Sequence, residues 1–366
     1  MSPLRFAVIG AGRLGGFHAQ KLAARKDVAL TAIVDPVPSA RQRVAEACGA
    51  TALPDFDAVL NQLDAVIVAT PTRLHYDVVR RCIEAGVHTF VEKPICPTVA
   101  ESSHLVDLAR MHNVVLQVGH VERFNPAFEA VASQVSAPKY IEAVRTSGFT
   151  FRSTDVGAVL DLMIHDIDLV LSLVGGPLRK VDALGVSVVG GHEDAVNARL
   201  EFECGCVATL SASRVSPESV RRMQIWSAQT MAQVDFAART ALLVHPSETL
   251  RRREFHLDQL RPEEIEPCRQ RFAEEHLPQE QLSFEPVDAL ALEQEDFISS
   301  IRTSKTPRVD GAAGRNAVAV AEQILDRVQS HCWDASWDGP VGPKVEPRRH
   351  VIPAPHFDRS ARVKAG

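Results

Sequence analysis

Leu4-Arg5-Phe6-Ala7-Val8-Ile9-Gly10-Ala11-Gly12-Arg13-Leu14-Gly15 decides the fold class of this chain. An apolar run suited to a buried strand leads into a Gly-x-Gly-x-x-Gly turn, and helical spacing follows at once. The three glycines have different tasks. Gly10 permits the tight bend, Gly12 lets the backbone approach a pyrophosphate, and Gly15 lets the helix lie close to the strand. The start of that helix offers free N–H groups and a partial positive charge to an anion. Arg13 and Leu14 complete the loop. Asp35 closes the second apolar run about twenty residues on, where a carboxylate accepts hydrogen bonds from both ribose hydroxyls. It also repels a 2′-phosphate, which favours NAD over NADP, with Arg41 and Arg43 close behind as a counterweight. A Gly-rich turn with a helix-capping acid is the blander account, but strand, glycines, helix and acid all stand in register.

Working outward, the chain up to about residue 120 alternates between two periods. Apolar runs at 5–9, 29–34, 65–69, 88–91 and 114–118 are separated by helical spacing near 14–25, 38–48, 74–86 and 98–112. Apolar strands joined by helices predict βαβ units in a doubly wound parallel sheet, covered on both faces. Beyond residue 125 the rhythm changes. Residues 157–174 form one apolar helical stretch, stopped by Gly175-Gly176-Pro177. Strand-like runs at 181–189, 195–203, 206–213, 219–227, 231–236 and 240–245 then follow one another, with turns at Gly190-Gly191 and Gly205. Strands without intervening helices predict a second, α+β domain built on a large, mainly antiparallel open sheet. The charge-dense residues 250–282 suit a solvated insertion, and helices are expected near 286–303 and 311–331. The expected partition is 1–122, 123–333, and a tail at 334–366 whose Trp333, Trp337 and Arg348-Arg-His350 suit a solvated arm.

Composition narrows the function classes. The chain has 366 residues, 45% hydrophobic and 23% charged, enough for a sizeable core. Forty Lys+Arg oppose 46 Asp+Glu, and no basic tract stands out, which argues against a nucleic-acid partner. No apolar run reaches the roughly 18 residues of a membrane span, and the N-terminus lacks a signal peptide's charged and apolar regions. Seven scattered cysteines fit reduced thiols in a cytoplasm. Cys204-Gly205-Cys206 lacks the further ligands of a metal site, so no metal is expected.

Three groups of residues carry the chemistry. Glu92-Lys93-Pro94 ends the fourth of these runs, and the carboxyl ends of parallel strands are where such sheets bind ligands. A surface lysine closing a strand is the ordinary alternative. Ala69-Thr70-Pro71, followed by His75, ends the third run. On the apolar helix, Asp161 and His165 are four apart and share one face. A carboxylate beside an imidazole fixes its tautomer and raises its basicity, as a general base needs, although a satisfied core pair would have the same spacing.

Together these motifs resemble the glucose–fructose oxidoreductase and inositol dehydrogenase (Gfo/Idh/MocA) family, and the closing Phe297…Lys305-Thr-Pro307…Asp310-Gly311 segment extends the match. The resemblance implies an N-terminal Rossmann domain and a C-terminal sheet that serves as a homo-oligomer interface. It implies Lys93, Asp161 and His165 as the catalytic group. It also places NAD against Gly10, Gly12, Arg13, Leu14, Gly15, Asp35, Thr70, Pro71, His75, Glu92 and Lys93, with a cis Lys93–Pro94 bond. Val118-Gly-His-Val-Glu122-Arg123-Phe-Asn125-Pro126 resembles the version found in UDP-N-acetylglucosamine 3-dehydrogenases of that family. That implies oxidation of the 3-hydroxyl of a nucleotide sugar in a 3-amino-sugar route of the lipid A type. Lys93, Arg123, Asn125, Asp161 and His165 would then touch substrate, Arg123 on the diphosphate. The local alternative is Asn125-Pro126 capping a helix and Arg123 in a salt bridge. The functional alternatives are a dehydrogenase of another cyclic polyol (inositol, aldose or UDP-aminouronate) and an NAD-binding sensor without turnover.

Overall fold

The apolar run that opens the chain is strand β1 (Leu4–Ile9), with Phe6, Ala7 and Val8 fully buried. A computed structural model describes residues 2–151, 155–189 and 191–331. The tail at 334–366, Trp333, Trp337 and the turn residue Gly190 lie outside the described residues. After β1 come α1 (Arg13–Ala23), β2 (Val28–Val34), α2 (Pro38–Cys48), β3 (Thr51–Leu53), β4 (Ala65–Val68), α3 (His75–Glu84), β5 (His88–Glu92), α4 (Val99–Met111) and β6 (Leu116–Gly119). Next are α5 (Pro126–Ala132), β7 (Tyr140–Thr146), and a wide π turn (Val159–Met163) running into α6 (Ile164–Val174). Strands β8 (Leu178–Val186), β9 (Ala195–Phe202), β10 (Val207–Ser213), β11 (Val220–Trp226), β12 (Met231–Asp235) and β13 (Thr240–Val244) follow. The closing elements are α7 (Glu248–Arg251), α8 (Pro262–His276), β14 (Gln279–Ser283), α9 (Ala289–Thr303) and α10 (Gly311–Ser330).

The first compact unit comprises residues 1–121, 151–164 and 288–323. Its sheet runs β3-β2-β1-β4-β5-β6, parallel throughout. That order is the doubly wound nucleotide-binding one, with its switch point between β1 and β4. The expected partition is corrected here, because 151–164 and 288–323 return to this unit. The reason is packing. Phe297 of α9 meets Phe6 and Phe90 edge-on, at 6.1 and 5.9 Å between ring centres. At the start of α10, Gly314 comes so close to β6 that a Cβ there would stand 2.6 Å from Val118.

The second unit comprises 122–150, 165–287 and the chain from 324. Its sheet runs β14-β13-β12-β11-β7-β10-β9-β8. Strand β7 pairs in parallel with β10 and antiparallel with β11; the other pairs are antiparallel. Gly205, at φ +83°, turns β9 into β10. Two expectations change. Strand β7, whose alternation in Tyr140-Ile-Glu-Ala-Val-Arg-Thr is plain in retrospect, lies at the centre of the sheet. The charged stretch 250–282 is ordered as α7, α8 and the first part of β14. Exposed pairs such as Arg261–Glu264 and Arg271–Glu275 lace α8, each worth little in water. No described helix is long and apolar enough to cross a membrane.

One buried ion cluster ties this unit together. Arg145 on β7 is 3% exposed, with a two-pronged contact to Asp166 of α6 (3.0 and 2.8 Å) and a third bond to Glu122 at 2.7 Å. Burial pushes the Asp166 carboxyl above its ordinary value, and Arg145 offsets only part of that shift. Removing the arginine strands two acids without a counter-charge. Arg145→Met should therefore cost about 3–5 kcal/mol of unfolding free energy, read as a lowered urea midpoint. A loss below about 1 kcal/mol would show that the cluster does not hold the unit together.

Candidate active site

The loop after β1 is shaped by what its glycines lack. Gly10 sits at φ +102°, and a Cβ on it would stand 2.5 Å from the carbonyl oxygen of Ala69. A Cβ on Gly15 would stand 1.8 Å from the Gly10 carbonyl oxygen. At Gly12, by contrast, a Cβ would meet nothing within 4 Å. The loop is thus tight against the protein at two glycines and open at the third, the one expected to face a pyrophosphate. Helix α1 starts at Gly12 without a side-chain cap, which leaves its first N–H groups available to an anion. Arg13 and Leu14 are exposed on its first turn.

Asp35 stands at the end of β2 and holds the loop directly. Its two carboxylate oxygens accept the backbone N–H groups of Ala11 and Val37, each at 2.8 Å. Arg41 donates to the carbonyls of Asp35 and Pro36, and Arg43 to that of Ala11. Both arginines thus bind backbone on the rim of the loop. Beyond β4, the Thr70 hydroxyl is buried with no hydrogen-bond partner among the described residues, an orphaned polar atom at the switch point. Open space at Gly12, an uncapped helix start, an acid at the end of β2 and this hydroxyl fit a dinucleotide.

Lys93 follows β5, and its bond to Pro94 is cis. Its ammonium donates to the Asp161 carbonyl at 2.7 Å and to the Asp161 carboxylate at 3.2 Å. Both side chains are largely covered, at 15% and 22% exposure. Asp161 belongs to the π turn, and one residue of that turn meets the lysine with both its backbone and its side chain. Wide turns of this kind recur at functional sites. The pairing expected of Asp161 was with His165; the partner it has in this unit is Lys93. His165 is half-buried on the first turn of α6, within the second unit.

Four expected ligand contacts take other forms. His75 is 1% exposed, with Nδ1 2.8 Å from the Pro94 carbonyl and Nε2 2.9 Å from the Thr70 carbonyl. Burial pushes this imidazole's pKa down. It braces the loops after β4 and β5 from behind. The buried Glu92 carboxylate lies 2.7 Å from His18 Nε2 of α1. Arg123 forks onto Asp168, with Nε at 2.7 Å and Nη2 at 3.0 Å. Asn125 accepts the Ala127 N–H to cap α5 and donates to the Phe236 carbonyl. Arg123 and Asn125 thus make, within the second unit, the contacts that the local alternative describes. The sequence reading passed over His18, Glu293 and Gln294 of the first unit. His18, three residues after Gly15 on the buried face of α1, was the available signal.

Comparison with known proteins agrees with this geometry. Residues 4–120 match the family model described as "Oxidoreductase family, NAD-binding Rossmann fold", and residues 127–232 match the "GFO/IDH/MocA C-terminal domain". The chain is 35% identical over 331 residues to UDP-N-acetylglucosamine 3-dehydrogenase of Acidithiobacillus ferrooxidans, covering 90% of this chain and 99% of the relative. A solved structure of that enzyme from the same organism superposes with a TM-score of 0.79, covering 90% of this chain and 98% of that one. The scyllo-inositol 2-dehydrogenase (NAD(+)) of Bacillus subtilis is 31% identical over 233 residues, covering 58% of this chain and 68% of the relative. Levoglucosan dehydrogenase in complex with NADH shares the fold, with a TM-score of 0.75 at 17% identity, over 89% of this chain and 97% of that one. The chain belongs to the GFO/IDH/MocA oxidoreductase family, and residues 4–120 are its NAD-binding Rossmann domain.

Proposed function

We propose that this protein is an NAD-dependent dehydrogenase that oxidises a sugar hydroxyl to a ketone, and that its substrate is UDP-N-acetylglucosamine, oxidised at the 3-hydroxyl. The observation that carries the reading is Lys93. Its ammonium is held by the Asp161 carbonyl and carboxylate at the carboxyl end of the parallel sheet. Likeness to the A. ferrooxidans enzyme over nearly all of both chains supports the substrate.

NAD supplies the hydride acceptor when bound. The chain's own groups bind, orient and move a proton. The open backbone at Gly12 and the start of α1 take the pyrophosphate, and Asp35 takes the ribose. Lys93 hydrogen-bonds the reacting hydroxyl and stabilises the negative charge that develops on its oxygen. His165 removes the hydroxyl proton as general base. Asp161 aims Lys93 through its two contacts. The acids and the arginine of the second unit, including Arg123 with Asp168, stay structural. Finer points belong to the same proposal: the enzyme is cytoplasmic, assembles as a homo-oligomer through its eight-stranded sheet, and passes its ketone to an aminotransferase in a lipid A-type route.

The direct test is NADH absorbance on mixing the protein with NAD and UDP-N-acetylglucosamine, with a glutamate-dependent aminotransferase present to remove the ketone. A rise that needs the sugar nucleotide is expected. A flat trace with UDP-N-acetylglucosamine and a rise with an inositol would replace the substrate and keep the chemistry. Lys93→Met should lower kcat by roughly a hundredfold or more while NAD affinity, read by fluorescence titration, changes less than about threefold. Equal losses in both would place Lys93 in cofactor binding instead. Asp35→Ser should weaken NAD roughly tenfold, the size of one charge-assisted hydrogen bond, and shift preference towards NADP. An unchanged ratio of the two affinities would remove Asp35 from the ribose site.

A further inference from the structure

Beneath Lys93 lies a group of buried polar side chains that the reaction above does not use. His18 of α1 and Glu293 of α9 are both 0% exposed, and Glu92 at the end of β5 is 7% exposed. One nitrogen or oxygen from each of the three lies within 4.8 Å of the other two. Neither carboxylate oxygen of Glu293 has a hydrogen-bond partner among the described residues. Two carboxylates this close, enclosed with an imidazole in an apolar core, need a shared positive partner, and the candidates are a cation and a proton.

The tautomer of His18 decides between them. The amide nitrogen of Gln294 lies 3.2 Å from the His18 carbonyl oxygen, a contact that only a donor can make. The same nitrogen lies 2.9 Å from His18 Nδ1, so Nδ1 accepts. The ring proton is then on Nε2, which donates to Glu92 at 2.7 Å. A nitrogen that carries a proton and donates it has no lone pair for a metal. That leaves the proton.

We propose that Glu293 is held as a neutral carboxylic acid that donates a hydrogen bond to Glu92, and that this buried His18–Glu92–Glu293 network positions Lys93. Glu92 then accepts from two sides and remains the single anion of the cluster. The order of acidities agrees. Burial first, and then the charge of Glu92, push the Glu293 carboxyl well above the usual range. Burial would raise Glu92 too, but the hydrogen bond that His18 donates, with the positive charge of Lys93, brings it below its ordinary value. Asp288 is the other charge acting on Glu293, and Gln117 fixes the Glu293 backbone by donating to its carbonyl at 2.9 Å. Glu92 is the last residue of β5, and Lys93 follows it directly on the chain. Anchoring Glu92 therefore sets the backbone from which Lys93 reaches Asp161.

The positioning role rests on the proposed dehydrogenase; the protonation does not, and the test separates them. Infrared spectra of the whole protein at neutral pH should show a carboxylic-acid carbonyl stretch, shifted in D2O and missing from Glu293→Gln. Absence of that band in the wild type would overturn the proposal. So would one tightly bound divalent cation per chain, by elemental analysis after dialysis against Mn2+ or Zn2+, lost in Glu293→Gln. For positioning, Glu293→Met should lower kcat roughly tenfold, the loss of one hydrogen bond to a charged group, with the KM for NAD unchanged. Glu293→Gln, whose amide still donates, should restore most of that loss. Equal kcat in wild type and Glu293→Met would refute the positioning role even with the band present.

Discussion

A methyl group at position 15 would sit 1.8 Å from the carbonyl oxygen of Gly10, and no rearrangement short of moving helix α1 would relieve it. This closeness governs the first unit. It brings the start of α1 to the switch point of the sheet, where its free N–H groups face the opening at Gly12. It seats His18, one turn further along, under β5 within reach of Glu92. It also lets Asp35 reach back to the Ala11 N–H, so that the acid expected at the ribose also pins the loop expected at the pyrophosphate. The glycine loop and strand β5 are joined by one helix, and a helix set back from the sheet would lose both connections.

The two units meet the same difficulty, charge in an apolar interior, with opposite means. In the second unit an arginine supplies the counter-charge. Arg145 satisfies Asp166 and Glu122 at once, with bonds of 2.7–3.0 Å. In the first unit Glu92 has no guanidinium partner among the described residues, and an imidazole N–H hydrogen-bonds it instead. Buried pairs of either kind add little net stability, but they penalise alternatives in which a member is left alone. They also explain why acids crowd α6. Asp166 and Asp168 serve Arg145 and Arg123, while Asp161, in the π turn before them, turns to Lys93.

What could be read from the letters was whatever depends on local spacing. Gly10, Gly12, Gly15 and Asp35 report the shape of their loop because a tight turn and a helix start have few solutions. The five apolar runs of the parallel sheet were legible for the same reason, while β3, only three residues long, gave no period to detect. The position of Lys93 at a strand end was legible, but its partner was not. Helical spacing pairs Asp161 with His165, and only the tertiary fold brings Asp161 to a lysine 68 positions earlier. Arg123 shows how one residue type admits two partners. A planar fork matches a carboxylate as well as a diphosphate, and the chain supplied the carboxylate itself at Asp168. Glu293 was invisible because nothing nearby in sequence marks it. Its environment comes from α1 and β5, far away along the chain.

The first unit is assembled from three separated lengths of chain, and that has a consequence for its biosynthesis. As the polypeptide leaves the ribosome, all six parallel strands are complete by residue 119. The face formed by Phe6 and Phe90 nevertheless stays open until Phe297 arrives. For most of translation the nascent Rossmann sheet presents an oily seam, and Glu92 with His18 lies at its margin without Gln294. Vectorial folding of this domain cannot finish where its sequence motif finishes. A ribosome stalled in the second unit would carry a sticky intermediate, the kind of species that engages chaperones.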